Sequence, residues 1–171
     1  MIAGPRISLV PMSLKDRRKF FRWATQSVAT PWWYGELYGD EIPDYEVFKM
    51  DWPAHYFEDG SPESGRCYAI IWEGEAIGQV NYHQIHLPDR STELDIILPF
   101  EKHTGHGIGQ EAMALLSDYL FNYLAVTRIN IELLAQNKRA IHSCERSGYR
   151  LIYSYCRHGI EWVVLERQAA A

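Results

Sequence analysis

Thr104-Gly105-His106-Gly107-Ile108-Gly109 sets three glycines at alternate positions directly before a long stretch of helical apolar spacing. Glycine lets the chain turn sharply and bring its peptide groups close to a ligand. It also leaves the first N–H groups of the following helix without side-chain cover. Those unpaired donors, at the positive end of the helix dipole, suit a phosphate or diphosphate. No Gly-Lys-Ser/Thr follows, so this is not a P-loop. The repeated strand–helix units of a dinucleotide site are missing too. A glycine turn with no ligand is the plain alternative. Just upstream, Glu93 and Asp95 lie two apart on a strand and therefore on one face. A carboxylate there can take a proton from an ammonium group, or hold the water that does; the alternative is a pair of surface acids. His83 is a third candidate, read first as an ordinary strand residue. His103, His106 and His142 have no ligand spacing. Cys67, Cys144 and Cys156 form neither a disulfide framework nor a metal motif, so no metal is expected.

Charge is unevenly spread. From Pro31 to Glu63 nine acids face one lysine, Lys49, a local net of −8; the remainder of the chain is +3, against −5 overall. The segment also carries Trp32, Trp33, Tyr34, Tyr38, Tyr45, Phe48, Trp52, Tyr56 and Phe57. Acids interleaved with rings suit a cationic ligand, since carboxylates attract it and ring faces hold it. The rival reading is a solvated acidic insertion whose rings pack on the core, or cover a second copy in a homodimer. The overall negative charge argues against a nucleic-acid partner.

The elements that must position these groups follow from periodicity. Arg6–Val10 reads as a strand. Ser13 caps a helix with Asp16 three residues on, and Leu14, Phe20, Phe21 and Ala24 form its buried face. A short helix broken by Pro53 is expected within 46–57. Strands follow at 66–72, 76–85 and 92–98, the first two joined by Glu73-Gly74. Ile108–Leu124 is the strongest helical pattern in the chain. A strand at 128–134, a helix capped by Asn137 and ended by Gly148, and strands at 150–156 and 160–166 complete the chain, with a frayed tail from Gln168. The order gives an α/β (α+β) mixed sheet flanked by helices. A single domain is expected over 1–171, with the acidic aromatic insertion at about 31–65. A 171-residue chain that is 47% hydrophobic and 23% charged is neither disordered nor low-complexity. No apolar run approaches the roughly 18–20 residues of a membrane span, so no membrane partner is expected. Three unpatterned cysteines and no secretory leader suit a cytoplasmic chain.

A second pattern, Asn137-x-x-Ala140 through Gly148-Tyr149, joins the glycine loop at a spacing filled by a long helix and a strand. Together they resemble the two hallmark motifs of the GCN5-related N-acetyltransferase (GNAT) family. The resemblance covers nearly the whole chain. It implies a centrally splayed sheet, acetyl-CoA as donor and a primary amine as acceptor. It places the pantetheine along Ile96, Ile97 and Leu98, and the diphosphate on Thr104, Gly105, His106, Gly107, Ile108 and Gly109, with Asn137 beyond. Asp95, then Glu93, is the implied base. Two departures stand out: Thr104 replaces the motif's leading Gln or Arg, and Cys144 replaces the Tyr that serves as acid in many relatives. Trp32-Trp33-Tyr34-Gly35-Glu36 resembles the acceptor loop of the aminoglycoside 6′-N-acetyltransferase branch, and Trp32, Trp33, Tyr34 and Glu36 are the acceptor residues it implies. The Thr92-Glu93 strand also resembles the spermidine acetyltransferases. Both branches point to a small cationic amine. Gly159-Ile160-Glu161-Trp162 resembles the ribosomal-protein N-terminal acetyltransferases, which makes a peptide α-amine the alternative. A non-catalytic coenzyme-A-binding module is the third reading.

Overall fold

The computed structural model describes residues 1–170. In chain order the elements are β1 (Ile2–Ala3), β2 (Ile7–Pro11), α1 (Arg17–Thr25), α2 (Tyr45–Asp51), β3 (Arg66–Trp72), β4 (Glu75–Tyr82), β5 (Ser91–Ile97), α3 (Ile108–Tyr123), β6 (Arg128–Leu134), α4 (Lys138–Arg146), β7 (Arg150–Arg157) and β8 (Ile160–Gln168). One eight-stranded sheet runs in the order β1-β2-β3-β4-β5-β6-β8-β7. Every neighbouring pair is antiparallel except β5 and β6, which are parallel. Among the described residues no helix is long and apolar enough to cross a membrane.

Strand alternation divides the core in two. On one face α3 lays Ile108, Ala112, Leu116 and Leu120 against Leu9, Ile70, Leu94 and Ile129. On the other, Phe20, Trp23 and Ala24 of α1 meet Phe48, Trp52, Tyr56 and Phe57 over Cys67 and Ile97. Most of the acidic segment's rings are therefore a second core. Phe20 and Trp52 meet edge to face with centroids 4.7 Å apart, the geometry aromatic quadrupoles favour.

The helix expected from Ser13 begins only at Arg17. The Asp16 carboxylate takes both the N–H and the O–H of Ser13 at 2.8 Å, so residues 13–16 close a turn of their own. Leu14 is consequently 40% exposed rather than buried, and Trp23 takes its place in the core. β4 ends three residues early, because Ile85 N–H turns away to the Glu63 carbonyl. β1 was too short to be seen as a periodicity. Gln168 is the last residue of β8, not a loose tail, and Ala171 lies outside the described residues.

The feature that matters for function is where β5 and β6 part. They pair only over Ser91–Glu93 against Arg128–Asn130. Asp89 pins that end: it accepts from Ser91 Oγ at 2.7 Å and from the Arg128 guanidinium, while its carbonyl accepts from Thr127 Oγ1 at 2.7 Å. Beyond Glu93 the strands diverge. On its other side β5 stays tied to β4, from Leu94 opposite Tyr82 to Ile97 opposite Gln79. Gly78 permits that closeness, since a Cβ there would stand 2.3 Å from the Ile97 carbonyl oxygen. Gly78→Ala is expected to lower stability by about 1–3 kcal/mol, as overpacking does, and to shift the β5 edge; a urea denaturation midpoint checks it.

Candidate active site

The gap between β5 and β6 opens into a cleft of about 690 Å³. One wall is the free side of β5. His83 N–H bonds the Glu93 carbonyl at 2.9 Å, so by antiparallel alternation Glu93, Asp95 and Ile97 direct their peptide groups to β4. Leu94 and Ile96 then aim theirs to the other side: the Leu94 N–H completes the last step of the ladder on the Asn130 carbonyl, and the Leu94 carbonyl and both peptide groups of Ile96 are left for the gap. An amide-bearing ligand can complete these groups as an extra strand would. Ile97 also lines the cleft, but its peptide is turned to β4 and its side chain, 1% exposed, belongs to the core.

The glycine loop closes one end. Gly107, at φ 76°, is the N-cap of α3 and makes no side-chain cap bond. Gly105 has φ 79°, with open space where a Cβ would be. Among the described residues, the N–H groups of residues 105–110 have no protein acceptor. That is the bare cradle a diphosphate needs. Arg6 supports it from 100 residues away: its guanidinium donates to the His106 carbonyl at 2.8 Å and pairs with Glu111 at 2.7 Å. Burial pushes the Glu111 carboxyl up, but hydrogen bonds from Arg6 and Ile7 outweigh it and hold it below the usual range. An acid in the first turn of α3 would repel phosphate, and Arg6 offsets its charge. No local signal in the sequence pointed to Arg6. Asn137 accepts from Ala140 N–H at 3.3 Å, caps α4 and lines the same cleft.

The other end is acidic and aromatic. Trp32, Trp33, Tyr34, Tyr38 and Trp52 line it together with Asp40, Asp51, Glu93, Asp95 and Glu132. Burial pushes the Tyr34 phenol up to about 12, and neighbouring carboxylates push it the same way, so this wall is neutral ring rather than phenolate. Burial alone would raise the Asp95 carboxyl, but the hydrogen bond and charge of His83 and the amide of Asn81 bring it below the ordinary range. Burial raises the Glu93 carboxyl, and this outweighs the lowering by His83.

Of the residues singled out from the sequence, Trp32, Trp33, Tyr34, Glu93, Leu98, Thr104, Gly105, Gly107, Ile108 and Gly109 line the cleft alongside Asp95, Ile96 and Asn137. Glu36 does not. It sits on the outside of the turn closed by Gly35 and Asp40, and Asp40 and Asp51 supply the charge instead. The His106 ring stays out, 5.7 Å from Trp72, and the carbonyl is held by Arg6, so this residue contributes only its N–H to the cradle. Four of the nine acids of the −8 segment are spent elsewhere, Glu46 on Lys49, Asp59 on Arg66, Glu63 on Arg90 and Asp44 as the cap of α2. Cys144, at the position of the motif's usual Tyr, is 2% exposed, and its Sγ lies 3.7 Å from Met113 Sδ. Burial pushes its thiol up to about 12, which makes it a poor proton donor.

A sheet pried open at its one parallel pair, with a bare helix start beside the gap, is the site of a transferase. It grips an extended, amide-rich, diphosphate-bearing carrier and presents the carrier's acyl end to a nucleophile. The acetyltransferase (GNAT) domain family matches residues 6–150, and the chain belongs to that family. It is an acetyltransferase with acetyl-CoA as donor. Among curated proteins it is similar to the spermidine N(1)-acetyltransferase of Escherichia coli K12, 24% identical over 149 residues, covering 87% of this chain and 75% of that protein. Among solved structures it shares its fold with the aminoglycoside acetyltransferase AAC(6')-Ib in complex with paromomycin and acetyl-CoA, at TM-score 0.77, 22% identity and 95% and 93% coverage of the two chains. It shares it also with the spermidine N-acetyltransferase of Vibrio cholerae in complex with CoA and spermine, at TM-score 0.74, 17% identity and 96% coverage of each. Gly107→Val forces a β-branched residue into a left-handed conformation that costs an ordinary residue about 1–2 kcal/mol, and brings its Cβ to 3.3 Å from Arg6 Nη2. Calorimetry is expected to show coenzyme A binding weakened about tenfold or more.

Proposed function

We propose that this chain transfers the acetyl group to a primary amine of a small acceptor carrying several positive charges, a polyamine or an aminosugar. One observation supports this above the rest: five carboxylates and five aromatic rings share a single cleft with the free peptide edge of β5. Carboxylates draw a polycation in, and ring faces hold it with little loss of entropy. The proteins named above act on or bind spermidine, spermine and paromomycin.

Acetyl-CoA brings a thioester carbonyl, an electrophile that gains negative charge when an amine attacks. The Ile96 peptide lies where its N–H can meet that charge. Near pH 7 a primary amine is protonated and must lose a proton before it attacks. The two carboxyls of β5 are held apart in basicity, which assigns their roles. Asp95, kept ionised, receives the ammonium group. Glu93, the more basic of the two, takes the proton. This reverses the expectation that Asp95 is the base. Cys144 supplies no proton to the departing thiolate, so water or the acceptor's own ammonium does. Close placement of amine and thioester contributes much of the remaining acceleration.

Glu93→Gln is expected to lower kcat by about 10²-fold or more, within the range for a general base, with little change in amine KM. Asp95→Asn is expected to raise amine KM. Steady-state kinetics with spermidine and with kanamycin reads both. A mass-spectrometric screen of the two amines against peptides with free N-termini tests the acceptor class: acetylation of peptides alone would overturn this reading in favour of a peptide α-amine.

A further inference from the structure

β4 carries a row of polar side chains toward Asp95 that the steps above do not use. Gln79 and Asn81 are fully buried, and His83 follows at the end of the strand. Gln79 Nε2 donates to Asn81 Oδ1 at 2.7 Å, and Asn81 Nδ2 donates to Asp95 Oδ2 at 3.2 Å. His83 Nε2 lies 2.5 Å from the same oxygen. On the far side of the ring, the Tyr56 hydroxyl lies 2.7 Å from His83 Nδ1. Asp95 Oδ2 is thus doubly engaged. Oδ1 has no partner among the described residues, and Asp95 lines the cleft.

Both protonation states of His83 keep every contact. In the neutral ring the Tyr56 O–H donates to Nδ1 while Nε2–H donates to Asp95. In the imidazolium, Nδ1–H donates to the phenol oxygen instead. One rotation of the Tyr56 hydroxyl accommodates the difference. The titratable groups facing His83 are Asp95 and Glu93 from β5 and Tyr56 from the turn at 54–57; Trp52, 5.7 Å away, and Asn81 carry no charge. Cys67, beside Tyr56 and Asp95, is a neutral thiol that burial pushes well up. Burial disfavours the imidazolium, but the hydrogen bond and charge of Asp95, then Glu93, outweigh it and raise the ring above its usual range. These directions, with the 2.5 Å contact, favour the imidazolium beside Asp95 in the free enzyme.

We propose that His83 and Asp95 form an exchange pair: an acceptor ammonium docking on Asp95 Oδ1 expels the His83 proton, so that the site trades one cation for another. An ammonium on Oδ1 stands within about 5 Å of the imidazolium, close enough for like charges to disfavour each other strongly. The Nδ1–H bond breaks, the proton passes to bulk water, the Tyr56 hydroxyl turns to donate to Nδ1, and the ammonium keeps its own proton until Glu93 takes it. His83 acts through Asp95 and is a positioning residue. Acceptor affinity then rises with pH below the point where His83 titrates, although the amine itself stays charged. The limit is tenfold per pH unit, for one proton released. The inference rests on the cationic-amine reading above.

Spermidine titrated by calorimetry into the CoA-saturated enzyme, in buffers of different ionisation enthalpy between pH 6 and 8, is the test. The wild type is expected to show a buffer-dependent heat, equivalent to release of up to one proton, and a Kd that tightens with pH. H83Q keeps an amide N–H for Asp95 but cannot titrate; it is expected to bind spermidine with a pH-independent Kd and no buffer-dependent heat. Proton release that persists in H83Q would place the proton on spermidine or Glu93 and overturn the exchange. Spermidine binding by the wild type without buffer dependence would overturn it too, with the acceptor reading intact. No binding of spermidine or kanamycin, with coenzyme A still bound, would remove both.

Discussion

The loss of pairing between β5 and β6 beyond Glu93 is the constraint on which the site depends. Peptide groups deprived of water must find partners, and here the Leu94 carbonyl and the Ile96 peptide face a gap rather than a strand. The protein holds the gap open by spending its strongest local contacts at the two ends. Asp89 ties the start of β5 to β6, and Gly78 lets the far end of β5 press against β4. What remains between them is an unfilled strand position, and a ligand built of amides completes it. The N-terminus of α3 faces the same gap because Ile108, Ala112, Leu116 and Leu120 commit that helix to the Leu94 face of the sheet.

The pleat of β5 then separates two chemistries. Leu94 and Ile96 present peptide to the coenzyme side, while Glu93 and Asp95 turn to the face that α1, α2 and the acidic segment cover. Charge follows the same division. Arg6 pairs with Glu111 beneath the glycine loop, while the carboxylates at the aromatic end of the cleft have no arginine or lysine partner among the described residues. Rings that look like a cation cage in the sequence mostly build the floor of this second chamber. Phe48, Tyr56 and Phe57 are core, and only those nearer the gap line the cleft.

The polar row from Gln79 to His83 is costly to bury, which explains why it ends on a carboxylate: Gln79 Nε2, Asn81 Nδ2 and His83 Nε2 each find an oxygen at Asp95 or one step closer to it. Its effect is to give one oxygen of Asp95 a fixed environment and to leave the other without a partner among the described residues.

The chain's own periodicities determined the order of elements, the pairing of Glu93 with Asp95 on one face and the glycines before α3, because alternation, helical spacing and left-handed backbone are local properties. Strands at 66–72 and 128–134 were legible to the residue for the same reason. Tertiary structure decided the rest. Arg6 reaches the loop across 100 residues, His83 and Tyr56 meet Asp95 from different elements, and Asp40 and Asp51 rather than Glu36 face the cleft. Such meetings depend on which strands neighbour one another and which way a loop folds back. No spacing along a single chain encodes that, because the contacts are made through space by residues whose separation in sequence carries no period.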